Sequence, residues 1–167
     1  MMLSIVLAAA WGIAVAGIGA WLTDISAWYH ALRKPSWQPP DWLFGPAWTT
    51  ILTLASISFY LAWNAAAPGS ERLLVAALFV INGVLNIAWS PLFFRMRRPD
   101  LALLEVPLLW LSTLAPIILL APLDRTASLL LVPYLLWVSF ATFLNFTVVR
   151  LNGPFGRKAG TPRMSER

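Results

Sequence analysis

"LLVAALFVINGVLNIAWSPLFF" occupies residues 73–94 and contains no Asp, Glu, Lys or Arg. A helix needs about 20 mainly apolar residues to cross the hydrocarbon core of a bilayer, so this stretch reads as a membrane span. Its exceptions are informative. Asn82, Asn86 and Ser90 recur at intervals of four and share one helical face. Polar groups at that depth need partners, so the stripe faces other helices or a cavity. Interhelical hydrogen bonding and direct ligand contact both fit it. Trp89 and Phe93 flank the same face and make it aromatic as well as polar.

Working outward, four more apolar runs appear, at about 3–22, 44–63, 101–120 and 128–149. The first has no basic residue before it and is too long for the apolar region of a signal peptide, so it reads as a retained span. The expected fold is therefore an all-α membrane protein, a bundle of five transmembrane helices forming a single domain over 1–151. The remainder, 152–167, is a basic tail with Gly and Pro, expected to be disordered and cytoplasmic. Composition agrees. The 167 residues are 59% hydrophobic and 11% charged, with a mean hydropathy of +0.73. A soluble domain carries about 25% charge, so an ordinary soluble or disordered chain is excluded. The absence of cysteine excludes a disulfide framework and thiolate chemistry, and a single histidine, His30, excludes a multi-histidine metal site.

Alternate connections face alternate sides. One side carries Arg33, Lys34, Arg95, Arg97, Arg98, Arg150, Arg157, Lys158, Arg163 and Arg167; the other carries only Arg72 and Arg125. This bias places the N-terminus outside and the C-terminus in the cytoplasm. It also accounts for the net charge of +5 without nucleic acid, since cations so scattered touch lipid headgroups and trace no groove.

The connection at 23–43 is the long one, with three prolines and three tryptophans. Within it, "WYHALRKPSWQPPDW" (28–42) cannot be one continuous helix, because Pro35, Pro39 and Pro40 lack an N–H and fix φ. Stiffness combined with Trp28, Tyr29, Trp37 and Trp42 fits a structured lid across the helix ends, or an aromatic belt anchor at the interface. Glu105 lies early in the fourth span, where it is expected to snorkel or to pair with a nearby arginine. Pro107 and Pro116 follow it in that span. In the last span, Tyr134, Trp137, Ala141 and Asn145 fall at steps of three or four and alternate large with small. Helix packing and a slot for something flat both fit that face. No Ser-His-Asp set, phosphate loop or row of intramembrane charges is present.

The strings "WYHALRKPSWQPP" (28–40), "PAWT" (46–49), "NIAWSPLFF" (86–94) and "VPYLLWVSFATFLNF" (132–146) together resemble the TspO/MBR family, the tryptophan-rich sensory and translocator proteins. The resemblance implies a bacterial inner-membrane protein, usually a homodimer, that holds a porphyrin such as protoporphyrin IX or haem between its helices beneath the first loop. Carried over by motif, the ligand-binding residues are Tyr29, Trp37, Pro39, Trp48, Asn86, Trp89, Ser90, Phe93, Trp137 and Ala141, with no metal and no obligatory cofactor. Two further activities come with the resemblance. One is light- and oxygen-dependent degradation of protoporphyrin at Trp48 and Trp137; the other is porphyrin transport. Departures are visible too: Leu52 stands where a tyrosine is common, and Phe146 replaces the tyrosine of the sterol-binding pattern that ends at Arg150. Small residues Ala8, Gly12, Ala16 and Ala20, and Gly83 in the third span, are candidate dimer contacts.

Overall fold

A computed structural model of the chain describes residues 2–156, which are helical with no strand among them. The elements are α1 (Met2–Leu22), α2 (Ala27–Ala31), α3 (Asp41–Ala65), α4 (Ser70–Ser90), α5 (Pro99–Leu120), α6 (Arg125–Leu129) and α7 (Val132–Asn152). Five of the helical stretches are long and apolar enough to cross a membrane. They form a ring in which α1 packs on α3 and α4, α5 packs on α4 and α7, and α3 reaches α7 more lightly.

Proline decides the irregular points. Pro91 has no N–H to return to the preceding turn, and the end of α4 widens into a π-helical turn over Pro91–Arg95. Met96 N–H accordingly donates five residues back, to Pro91 O at 2.8 Å. Pro133 lacks the N–H that would bond Leu129 O, and the fifth span divides there into α6 and α7. Pro40 precedes α3, which starts at Asp41, three residues before the apolar run that announced it. The expected tail also begins differently: Asn152 is the last residue of α7, and Gly156 lies against the Arg98 guanidinium. Residues 157–167, including Arg157, Lys158, Arg163 and Arg167, lie outside the described residues.

The buried amides and hydroxyls of the bundle find partners on neighbouring helices, as the bilayer requires. Asn82 Nδ2 donates to Thr113 Oγ1 at 3.0 Å and Ser112 Oγ at 3.1 Å, joining α4 to α5. Asn86 Nδ2 donates to Tyr134 Oη at 2.7 Å, joining α4 to α7. Asn145, with its amide oriented to suit both neighbours, donates to Pro99 O and accepts from Leu103 N–H in the first turns of α5. Ser58 donates to Ala127 O at 2.7 Å and stitches α6 to α3. Glu105 departs from expectation. Arg98 is engaged bidentately by Asp100, at 2.8 and 2.7 Å, and both Glu105 carboxylate oxygens are shielded with no hydrogen-bond partner.

The small residues seen in the sequence are spent differently from one another. Gly12 faces Ser56 of α3, and Gly83 of α4 receives the Trp11 indole of α1, which donates Nε1–H to Phe79 O at 2.7 Å. Ala8 is buried in the core. These three are spent on contacts within the chain. A Cβ at Gly83 would stand 2.7 Å from Trp11 Nε1 and 3.0 Å from Val15 Cγ2. Gly83→Val is therefore expected to destabilise the detergent-solubilised protein by about 1–3 kcal/mol, read as a lower Tm. Gly17→Ala, whose Cβ meets nothing within 4 Å, should be neutral or raise stability by up to about 1 kcal/mol.

Candidate functional site

At the end of the bundle where α1 and α7 finish and α3 and α5 begin, the helices enclose a cavity of about 790 Å³. It falls within the roughly 300–1,000 Å³ of small-molecule sites. Its floor and walls are aromatic. Trp48 of α3 meets Tyr134 and Trp137 of α7 edge-on, with centroids 6.0 and 6.2 Å apart. On the α4 side Trp89 stacks on Phe93 at 4.9 Å, and the π turn swings Phe93 and Phe94 inward to be buried there. Edge-to-face and offset contacts of this kind hold ring orientations that a flat ligand can use.

Asn86 reaches the cavity while already donating to Tyr134, so it acts as structure and lining at once. Ser90 is buried and lines the cavity one turn further on. The Trp137 indole N–H is buried with no hydrogen-bond partner. An unmet donor of this sort costs about 1–3 kcal/mol.

The loop forms a lid with defined attachments. Tyr29 Oη donates to Asp41 Oδ1 at 2.9 Å, and Gln38 Nε2 donates to the same carboxylate oxygen at 3.2 Å. Lys34 Nζ sits 3.5 Å from the centre of the Tyr29 ring and 3.8 Å from Asp41 Oδ2. At the other edge, Asn152 accepts from Arg33 N–H and donates to Arg33 O, both at 2.8 Å. One side-chain amide of α7 thus pairs with the loop backbone as a strand neighbour would. Burial, and then the hydrogen bond to the Asp41 carboxylate, push the Tyr29 phenol above its ordinary value.

Eight of the ten residues singled out in the sequence line this one cavity: Tyr29, Trp48, Asn86, Trp89, Ser90, Phe93, Trp137 and Ala141. Trp37 and Pro39 do not. Trp37 stacks on Phe143 of α7, with centroids 5.1 Å apart and planes at 17°, because that ring offers a flat partner outside the cavity. Pro39 is half-buried in the turn leading to α3 and shapes the loop without lining the chamber. His30 is exposed, and among the described residues no group of three or more His, Cys, Asp or Glu could hold a metal ion. The residues missed are instructive. Val106 and Leu109 of α5 close the cavity from a helix with no polar signal facing it. Asp41 stands out only as a carboxylate beginning a helix beside Lys34. Asn152 carries no local signal at all.

The TspO/MBR family matches residues 4–151, all but the outermost residues of the helices around the cavity. The chain belongs to that family. Among its relatives are the tryptophan-rich protein TspO of Chlorobaculum tepidum, 41% identical over 76% of this chain and 81% of the relative. The protein CrtK of Rhodobacter capsulatus is 40% identical over 83% of this chain and 87% of its own length. The human translocator protein is 36% identical over 75% of each chain. A TspO/MBR protein with five apolar spanning helices is an integral membrane protein.

Because the Tyr29 phenol is raised, it stays protonated and keeps donating to Asp41 where an ordinary tyrosine ionises. The stability it contributes is fully present below the unfolded value, about 10, and is lost as pH rises beyond that through the folded value. Protection of residues 23–40 from protease should hold from neutral pH to about 10 and fall above it. Tyr29→Phe should remove about 1 kcal/mol from the lid and speed loop cleavage roughly fivefold at neutral pH.

Proposed function

We propose that the cavity binds a porphyrin, protoporphyrin IX or haem, and that occupancy is sensed through the lid. The observation that carries this reading is the aromatic chamber: Trp48, Trp89, Phe93 and Trp137, drawn from three helices, wall a volume of about 790 Å³ beneath Tyr29. A flat tetrapyrrole gains from stacking and edge contacts with such rings. Its carboxylates or ring substituents offer acceptors for the Ser90 hydroxyl and charge partners for Lys34 at the lid. Relatives called tryptophan-rich sensory protein and translocator protein suit a reading in which the work is to hold a ligand and report it.

The same reading includes a homodimer in a bacterial cell membrane with the lid in the cytoplasm. Arg33, Lys34, Arg95, Arg97, Arg98 and Arg150 cluster in the connections at the lid end, against Arg72 and Arg125 at the other. One geometric feature favours a second activity, light-driven oxidative breakdown of the bound porphyrin: the Trp48–Trp137 pair, whose indoles meet at 6.2 Å in the cavity wall. Loss of porphyrin absorbance over many equivalents, abolished by Trp48→Phe or Trp137→Phe, supports that activity. Bleaching that stops after one equivalent marks damage to a held ligand.

Binding is tested by titrating purified protein with protoporphyrin IX and following quenching of tryptophan fluorescence. Trp48→Ala and Trp137→Ala should each weaken affinity about tenfold, and the double variant more, from lost stacking and buried area. Wild-type affinity in all three would remove these residues from the site.

A further inference from the structure

We infer that the cavity is loaded sideways from the hydrocarbon of the bilayer, through a slot between α1 and α3, while the lid stays latched. The inference rests on the ligand-binding reading above and adds the route.

The slot is visible in how the two helices spend their small residues. Far from the lid they touch: Ser4 hydrogen-bonds Asn64 at 3.1 Å, and Gly12 faces Ser56. That antiparallel register, continued toward the lid, sets Ala16 opposite Leu52 and Gly19 opposite Thr49. Small residues normally let helix backbones close up. Here they do not. A Cβ placed on Gly17, Gly19 or Gly45 meets nothing within 4 Å, although all three line the cavity. Ala16, Ala20 and Thr49 line it too, and each is exposed. Lining residues this exposed, on helix positions that no neighbour covers, mark an opening.

Its depth points to lipid. Trp21 and Trp42, each 71% exposed, flank the slot at the lid end. Arg95 lies over Trp21, 4.5 Å from the ring centre, and donates to Trp21 O at 2.9 Å. Exposed tryptophans with a cation mark the interfacial layer. Thr49 lies seven residues along α3 from Trp42, about 10 Å deeper at 1.5 Å per residue. The opening therefore meets acyl chains. A flat apolar molecule dissolved among them reaches the aromatic wall without crossing water.

The aqueous side is fastened by contrast. Asn152 holds Arg33 by two hydrogen bonds, and Asp41 gathers Tyr29, Gln38 and Lys34. Opening the lid breaks these together; entry through the slot breaks none of them.

The chain has no cysteine, so Gly17→Cys and Gly45→Cys each introduce a unique thiol. After reconstitution in nanodiscs, each protein is compared before and after modification with a bulky maleimide, which separates blocking from misfolding. Protoporphyrin IX is the probe, and binding and release are followed by tryptophan quenching. Blocking should slow association and release together by about tenfold or more, with Kd moving less than about threefold, and Asn152→Ala should leave both rates within about twofold. Wild-type rates in the blocked proteins, with faster exchange in Asn152→Ala, would assign entry to the lid and overturn the inference. Blocking that converts a dimer to monomer with rates unchanged would make the slot a protomer interface and overturn it equally. Failure of the unmodified protein to bind the porphyrin at all would overturn the ligand reading, and the route with it.

Discussion

Polar groups buried at membrane depth must be satisfied within the protein, and the bundle is organised by how α4 meets that demand. Its Asn82 and Asn86 reach two different helices, α5 through Thr113 and Ser112, and α7 through Tyr134. These bonds hold α4 against both partners and orient Tyr134, whose ring then meets Trp48. The cavity floor is a consequence of that hydrogen bond. Lipid supplies no competing partner, so the pairing is definite where apolar packing alone would allow sliding. Pro91 then ends the regular helix and the π turn brings Phe93 and Phe94 to the side wall. A polar stripe and a proline on one helix therefore set both surfaces a ligand would meet.

The lid follows a second constraint. A proline-rich segment cannot satisfy itself by helix or ladder bonds, so its attachments come from side chains. Asp41, the first residue of α3, gathers Tyr29, Gln38 and Lys34 around one carboxylate. Asn152, the last residue of α7, takes the loop backbone at Arg33. Both anchors are helix termini, where the backbone turns from bundle to loop and polar side chains stand beside it.

The tryptophans show how one residue type divides under these constraints. Trp11 and Trp110 find acceptors at Phe79 O and Ser139 Oγ and join helices. Trp21 and Trp42 remain exposed at the lid end of the bundle. Trp48, Trp89 and Trp137 wall the cavity, and the Trp137 indole N–H is shielded from solvent with no hydrogen-bond partner. Composition counts ten indoles alike; hydrogen bonding and position separate them.

The sequence by itself determined the five spans, the polar face of α4 and the stiff aromatic loop, because hydropathy, helical period and proline act over a few residues at a time. It also carried eight of the cavity's lining residues, through strings that identify the TspO/MBR family. Tertiary structure alone decided that Trp37 turns to Phe143, that Glu105 is shielded without the expected arginine, and that Gly12 and Gly83 close gaps while Gly17 and Gly45 leave one. It alone joined Arg33 to Asn152, 119 residues apart in the chain. Identical residue types diverge in this way because their roles depend on which helix stands opposite, a relation fixed by the packing of the whole bundle and absent from any local pattern.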